Sequence, residues 1–343
     1  MNTVYITKLM IDNVRHLQGI EIPLASDKKK HLIITGRNGS GKTSVLDAIS
    51  SYLDGTTGTD LIRVWEGHRK NHIECLNGMT ETSDKETVRN VEKNIELCNK
   101  KIQSMKQGVE LTFNCSLSAI YDQFQEGELI VAYYRSERIF QAVIPRHVEK
   151  VELKQNYTIT ERPRESFVKY LLDLKMTEAL AVTGGKVEKA NKIKLWFEKF
   201  QNMLQKIFSD PTLTLQFDED TFSFYICQEG KVPFDFNSLS SGYAAVLDIV
   251  VDIIIRMEKQ TNRTLQFDMA GIVLIDEIET HLHLELQKRI LELLTTMFPN
   301  IQFIISTHSP FVLNSLENVV IYDLENHLLV ENGLVDLKSF YEH

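Results

Sequence analysis

An α/β fold with a mainly parallel sheet is predicted for this chain from three stretches. Ile33-Ile34-Thr35-Gly36-Arg37-Asn38-Gly39-Ser40-Gly41-Lys42-Thr43 passes from β-branched residues through a glycine-punctuated loop into Ser44-Val45-Leu46-Asp47-Ala48-Ile49, a helical pattern. Gly271-Ile272-Val273-Leu274-Ile275-Asp276-Glu277 and Ile301-Gln302-Phe303-Ile304-Ile305-Ser306-Thr307-His308 are apolar runs ending in polar residues. Strands buried on both faces of a parallel sheet read as such runs, and the groups at their C-terminal ends face a ligand crevice.

The first stretch matches G-x-x-x-x-G-K-[ST], the phosphate-binding loop, in a strand–loop–helix context. Gly36, Gly39 and Gly41 accept positive φ and bring backbone N–H groups close to phosphate oxygens. The helix that follows adds free N–H donors and partial positive charge. Lys42 is placed to reach the β- and γ-phosphates, and the Thr43 hydroxyl to hold Mg²⁺. Gly36, Asn38, Gly39, Ser40, Gly41, Lys42, Thr43 and Ser44 are therefore the candidate ATP-binding residues. In the second stretch Asp276 can complete the Mg²⁺ shell and Glu277 can act as general base on water. In the third, His308 at the tip of a buried strand is placed to sense the γ-phosphate.

At 343 residues the chain can bury a full core as one large domain or two ordinary ones. Apolar content of 43% and charged content of 25% suit a globular protein, and the net charge of −9 argues against one that coats nucleic acid passively. A local basic patch stays open; the lysines at 28–30 and at 186, 189, 192 and 194 read as solvated surface. Cys75, Cys98, Cys115 and Cys227 lie far apart and read as free thiols. No leader pattern opens the chain, and the longest apolar run, Ile249–Ile255, is broken by Asp252. A cytoplasmic location without membrane contact is the expectation.

Taken in order, Val4 to Leu24 reads as a β-meander, with Asn13 and Arg15 either beside an adenine or in a surface turn. Asp54 to Asp60 is a loop by composition. Residues 84–107 suit one amphipathic helix, a solvent-facing insertion too short for a coiled-coil arm. Val109–Leu117 and Leu129–Tyr134 read as strands. Arg135 and Arg138 then either meet phosphate or a partner subunit, or pair with nearby acids. Two helical stripes from Ser166 to Ser209, broken at Gly184-Gly185, predict a helical subdomain, and residues 212–226 a hairpin turned at Asp218-Glu219-Asp220. Phe236-Asn237-Ser238-Leu239-Ser240-Ser241-Gly242-Tyr243 then precedes a helix from Ala244 to about Met257, and another runs from Gln287 to Met297.

The order phosphate loop, Leu-Ser-Ser-Gly, Asp-Glu strand, Glu279-Thr280-His281-Leu282-His283 and Ser306-Thr307-His308-Ser309-Pro310 resembles ABC-type ATPases of the SMC, RecF and OLD-like branch. The nearest look-alikes are the stand-alone ATPases of bacterial anti-phage systems of the Septu, PARIS and retron kinds. The resemblance covers roughly the first fifth and last third of the chain. It implies a P-loop NTPase of ABC type with an N-terminal antiparallel β subdomain and an inserted helical subdomain. The lobes would be about 1–160, 161–210 and 211–343 of a single domain spanning 1–343. It makes Lys42 and Thr43 Walker A, Asp276 and Glu277 Walker B, Ser240 and Gly242 the signature, Glu279–His283 the D-loop and His308 the switch histidine. It also implies two ATP held with Mg²⁺ between head-to-tail subunits, in a dimer or higher oligomer, with Ser240 touching the partner's γ-phosphate.

There are departures from the pattern. Tyr243 stands where the signature usually carries Gln or Glu, and no glutamine marks a Q-loop, whose place Arg135-Ser136-Glu137-Arg138 would take. Long coiled-coil arms are absent, and little chain follows the switch strand to house a nuclease domain. The expected function is an ATP-driven dimerisation switch controlling a separate effector such as a nuclease. RecF-like DNA clamping, which keeps nucleic acid open as a partner, and a slow nucleotide-locked scaffold are the alternatives.

Overall fold

The computed structural model describes residues 3–331 apart from 81–83, 139–141, 144, 146 and 263; residues 332–343 of the expected C-terminal lobe lie outside the described residues. Strands β1 (Ile6–Val14) and β2 (Leu17–Pro23) form a hairpin turned by Arg15 at φ 55°, in a register that pairs Leu9 with Ile22 and Ile11 with Ile20. Strand β3 (His31–Thr35) enters the phosphate loop and α1 (Lys42–Thr57) leaves it. Helices α2 (Leu61–Asn77) and α3 (Lys85–Lys106) pack on each other, and β4 (Val109–Phe113) returns to the free edge of β1. Helix α4 (Leu117–Gln125), capped by Ser116, leads to β5 (Leu129–Tyr134).

A 3₁₀ turn (Pro163–Ser166) opens the helical pair α5 (Phe167–Thr183) and α6 (Val187–Phe208). Strands β6 (Thr214–Asp218), β7 (Ser223–Cys227) and β8 (Phe234–Asp235) form a small antiparallel sheet before α7 (Ser241–Glu258). The remainder alternates as β9 (Ala270–Ile275), α8 (Leu284–Met297), β10 (Ile301–Ser306), α9 (Pro310–Leu313), β11 (Val319–Asp323) and β12 (Leu328–Glu331).

Among the described residues the central sheet runs β12-β11-β3-β10-β9-β5, parallel throughout except for the β11–β12 hairpin. Successive side chains on a strand point to opposite faces, which divides the core in two. Leu32, Ile34, Ile272, Leu274 and Ile304 pack with α1 and the β2-β1-β4 sheet. Ile33, Val273, Ile275, Phe303 and Ile305 pack with α7 and α8, and the aromatic stripe of α5 and α6 joins that second core through Phe167, Trp196 and Phe200. Gln302, fully buried on β10, fastens the two sheets together. It accepts from the Ile6 N–H at 2.7 Å and donates to the carbonyls of Ile6 and Lys30 at 2.9 and 2.8 Å. A buried amide whose donors and acceptor are all used specifies register.

Helix α7 is apolar by composition yet buries Asp248, Asp252, Arg256 and Glu258. Asp252 accepts from Tyr134 Oη at 2.8 Å, Arg256 Nε at 2.7 Å and the Arg164 N–H at 3.2 Å. Arg256 spends its remaining donors on the carbonyls of Val131, Tyr157, Thr158 and Glu161. Asp248 pairs with Arg164 Nε at 2.5 Å. Glu258 accepts from Trp196 Nε1 at 3.0 Å and from the Tyr170 hydroxyl. These bonds tie α7 to β5 and to the α5–α6 layer.

The structure departs from the sequence reading between α1 and β5. Residues 54–57 are helical, not loop: Thr56 and Thr57 are buried, and their hydroxyls find partners within the helix in the carbonyls of Tyr52 and Leu53, at 2.9 and 2.8 Å. The turn comes later, at Asp60, with φ 54°. Helix α2, for which no signal was read, buries only Ile62 fully and carries no continuous apolar stripe. The strand expected over 109–117 stops at Phe113, since Ser116 accepts from the Ala119 N–H and starts α4. Helices α7 and α8 each begin three residues before the expected positions, at Ser241 and Leu284.

His31 carries a pH dependence. Its Nδ1 accepts from the Phe303 N–H at 3.0 Å, which needs the neutral ring, and burial first, then the charge of Lys29, lowers its pKa from the usual 6.5 to about 3. Between those values the unfolded chain binds a proton that the folded chain refuses. The stability is fully present above pH 6.5 and is lost as pH falls, at about 1.4 kcal/mol per pH unit. His31→Asn is therefore expected to shrink the difference in unfolding free energy between pH 7.5 and 5 by about 2 kcal/mol, read from urea midpoints; an unchanged difference refutes the assignment.

Candidate nucleotide site

The candidate residues of the phosphate loop, β9 and β10 meet at the C-terminal edge of the central sheet. Gly36, Gly39 and Gly41 take φ of 133°, 84° and 101°, values that L side chains rarely adopt. The loop also folds tightly enough that a Cβ at Gly36 would lie 2.8 Å from Ser40 Oγ, and one at Gly41 2.9 Å from a Leu17 methyl. Asn38 is exposed at the loop tip and Ser44 half-buried on the first turn of α1. Lys42 is buried, and its ammonium donates to the carbonyls of Gly36 at 2.9 Å and Arg37 at 3.0 Å. Burial lowers its pKa, against the opposing pull of Glu277, Asp276, Glu279 and Asp323.

Asp276 stands at the end of β9, with β10 between it and β3. Its Oδ2 accepts from Thr43 Oγ1 at 2.9 Å and its Oδ1 from Ser306 Oγ at 2.5 Å. A hydroxyl and a carboxylate oxygen held side by side are the hard-oxygen donor set that Mg²⁺ takes. Glu277 follows at φ 45°. Its N–H donates to Ser306 Oγ at 2.8 Å, and its Oε2 accepts from Thr280 Oγ1 at 3.3 Å. Glu279 caps the switch strand, accepting from Thr307 Oγ1 at 2.7 Å and the His308 N–H at 2.6 Å. His308 Nε2 is buried without a hydrogen-bond partner among the described residues.

Ser240 and Gly242 stand apart from this group, at the start of α7. Ser240 and Ser241 are exposed, and the Ser240 side chain makes no capping bond. Gly242 abuts the Glu279–His283 loop, since a Cβ there would lie 3.0 Å from the His281 carbonyl. Tyr243 stacks on Phe208 with ring centroids 4.2 Å apart and meets His283 edge-on at 5.9 Å. The residue that departs from the usual signature therefore links the helical layer to that loop.

Beside the phosphate loop, a cavity of about 650 Å³ is lined by Asn13, Arg15, Ser44, Asp47, Gln103 and Lys106, among others. Arg135 pairs with Asp47 at 2.8 Å. Arg138 is 3% exposed and bonds backbone carbonyls, so the expected pairing with nearby acids is not made through its hydrogen bonds. Ser306, which the sequence offers only as part of the Ser-Thr-His-Ser-Pro segment, joins Asp276 and Glu277 through its hydroxyl. A serine at the end of an apolar strand is the signal that could have marked it.

Glycine-rich loop, parallel sheet and paired carboxylates together give this chain the fold and candidate site of a P-loop nucleotide-binding domain. A family model described as "AAA domain, putative AbiEii toxin, Type IV TA system" matches residues 152–314. The chain is 27% identical to the Septu protein PtuA of Bacillus mycoides (strain KBAB4), over 96% of this chain and 41% of that protein. It is 26% identical to the Retron Vc95 probable ATPase of Vibrio cholerae serotype O1 biovar El Tor, over 86% of this chain and 69% of that protein. It thus spans under half the length of the first of these relatives. A solved SMC head bound to the C-winged helix domain of ScpA aligns over 98% of this chain and 99% of its own, at 16% identity and a TM-score of 0.45. No described helix is long and apolar enough to cross a membrane.

Proposed function

We propose that the chain is an ATP-hydrolysing dimerisation switch that controls a separate effector, a nuclease, in bacterial anti-phage defence. One observation supports the reading: the start of α7 is exposed at Ser240 and Ser241, and the Ser240 side chain makes no capping bond. The phosphate loop, Thr43, Asp276 and Glu277 would form one half-site, and that helix start the other. Free N–H groups at that helix start suit an anion brought by a second copy, so two chains head to tail would complete two sites. The phosphate loop and Lys42 would hold the triphosphate, which requires Lys42 to release the two loop carbonyls. Thr43 and Asp276 would hold Mg²⁺, which offsets phosphate charge when bound.

Glu277 would accept a proton from water, whose oxygen forms the new bond to the γ-phosphorus while the bond to the β-phosphate oxygen breaks and ADP leaves. His308, with Nε2 free, would donate to the γ-phosphate. Hydrolysis would then release the pair. The defence role is supported by likeness to Septu PtuA and a retron ATPase, and the separate effector by the resemblance already described.

The test is mass measurement in solution by light scattering, with Mg²⁺ and a non-hydrolysable ATP analogue. Paired subunits with one nucleotide retained per chain are expected. A monomer that retains no nucleotide overturns the reading.

A further inference from the structure

We infer that Arg138 is a positioning residue that sets the aim of Glu277. The inference rests on the proposal that Glu277 is the general base.

Arg138 lies just past β5, in a turn closed by its own N–H donating to the Ser136 carbonyl at 2.9 Å. The turn directs the side chain beneath the end of β9, where Nη1 donates to the carbonyls of Asp276 at 2.6 Å and Arg135 at 3.1 Å. Nη2 donates to the carbonyls of Glu277 at 2.8 Å and Ile278 at 3.3 Å. One guanidinium thus gathers three successive carbonyls. Consecutive carbonyls of an extended strand point to opposite sides, so they converge only where the backbone leaves the strand conformation. It does so at Glu277, with φ 45°. The left-handed turn and the guanidinium are therefore conditions for each other.

On the other flank the Glu277 N–H is held by Ser306. Both peptide groups of Glu277 are clamped, and among the described residues the carboxylate's one hydrogen bond is the long one from Thr280 Oγ1, at 3.3 Å. Bonding a buried guanidinium to carbonyls returns little net stability against its desolvation. What it does supply is a rigid fork of donors in one plane, which neither lysine nor glutamine reproduces. Asp248, Glu279, Asp276 and Glu277 surround the group and oppose the burial that lowers its pKa.

The experiment compares ATP turnover, KM and the Kd of a fluorescent ATP analogue in wild-type protein, R138K, R138Q, R138A and E277Q. R138K and R138Q are expected to lose on the order of a hundredfold in kcat, the effect of a misplaced reacting group, with KM and Kd changed by less than about threefold. Methylguanidinium ion should restore part of the R138A turnover in a saturable way, and none to E277Q. If R138Q and R138A do not fold, R138K, which keeps the charge and most of the volume, decides the matter. A kcat of R138K within about twofold of wild type, or a Kd that rises in step with the fall in kcat, overturns the inference and marks Arg138 as a scaffold residue. An E277Q variant that turns over like wild type overturns instead the reading of Glu277 on which the inference stands.

Discussion

Glu277→Gln is expected to slow ATP turnover by on the order of a thousandfold while leaving nucleotide bound and the subunits paired. The substitution keeps the size of the side chain and removes only its capacity to take a proton. The bonds that shape the residue are spared: its N–H stays on the Ser306 hydroxyl and its carbonyl on Arg138. The amide oxygen can still accept from Thr280, as Oε2 does at 3.3 Å. In the proposed site, binding would rest on other groups, namely the phosphate loop, Lys42 and the Thr43–Asp276 pair. Single-turnover hydrolysis and size measurement in Mg·ATP should therefore show a long-lived ATP-bound pair where wild type cycles. Loss of pairing, or turnover within about threefold of wild type, would remove Glu277 from the chemistry. Full cellular function of this variant would favour a nucleotide-locked scaffold over a switch.

The largest expected loss of stability lies behind the site, in α7. Asp252→Ala should cost about 3–5 kcal/mol, the usual penalty for breaking a buried ion pair by removing one partner. The substitution strands Arg256, which is 2% exposed, and takes the acceptor from the Tyr134 hydroxyl and the Arg164 N–H. Arg256→Met should cost a similar amount, since it leaves the fully buried Asp252 with only the longer 3.8 Å contact to Arg164 as an ion pair. The double variant should cost well under the sum, because each single change already incurs the penalty for an unpaired charge. Denaturant unfolding of the four proteins measures this, and additive costs would show that the two residues do not act as a pair.

What the sequence disclosed follows from where its signals are strongest. The phosphate loop is a constraint on backbone geometry, so its glycines declare themselves at Gly36, Gly39 and Gly41. Strands buried on both faces, β9 and β10, read as unbroken apolar runs, and the polar residues ending them, Asp276 and Glu277 on one and His308 beyond the other, fell together in space. Helix α2 was silent because it packs mainly against another exposed helix and buries fully only Ile62. The Asp54–Thr57 segment misled because threonine and glycine favour loops in isolation, whereas here the threonine hydroxyls bond within the helix. Arg138 was invisible in its role for a different reason. Its partners are carbonyls, which every residue carries, and no side-chain pattern announces them. The charges inside α7 were equally silent, since Asp252 looks like an interruption until Tyr134 and Arg256 are seen around it.

The amide of Gln302 has a mechanical consequence. By bonding β1 and the residue before β3 at once, it ties the hairpin that carries Asn13 and Arg15 to the strand that carries the phosphate loop. Under the proposed function, a nucleotide would meet a gap whose width this amide helps to set. Tyr243, packed between α6 and the loop at His283, joins the helical layer to the same body from the other side.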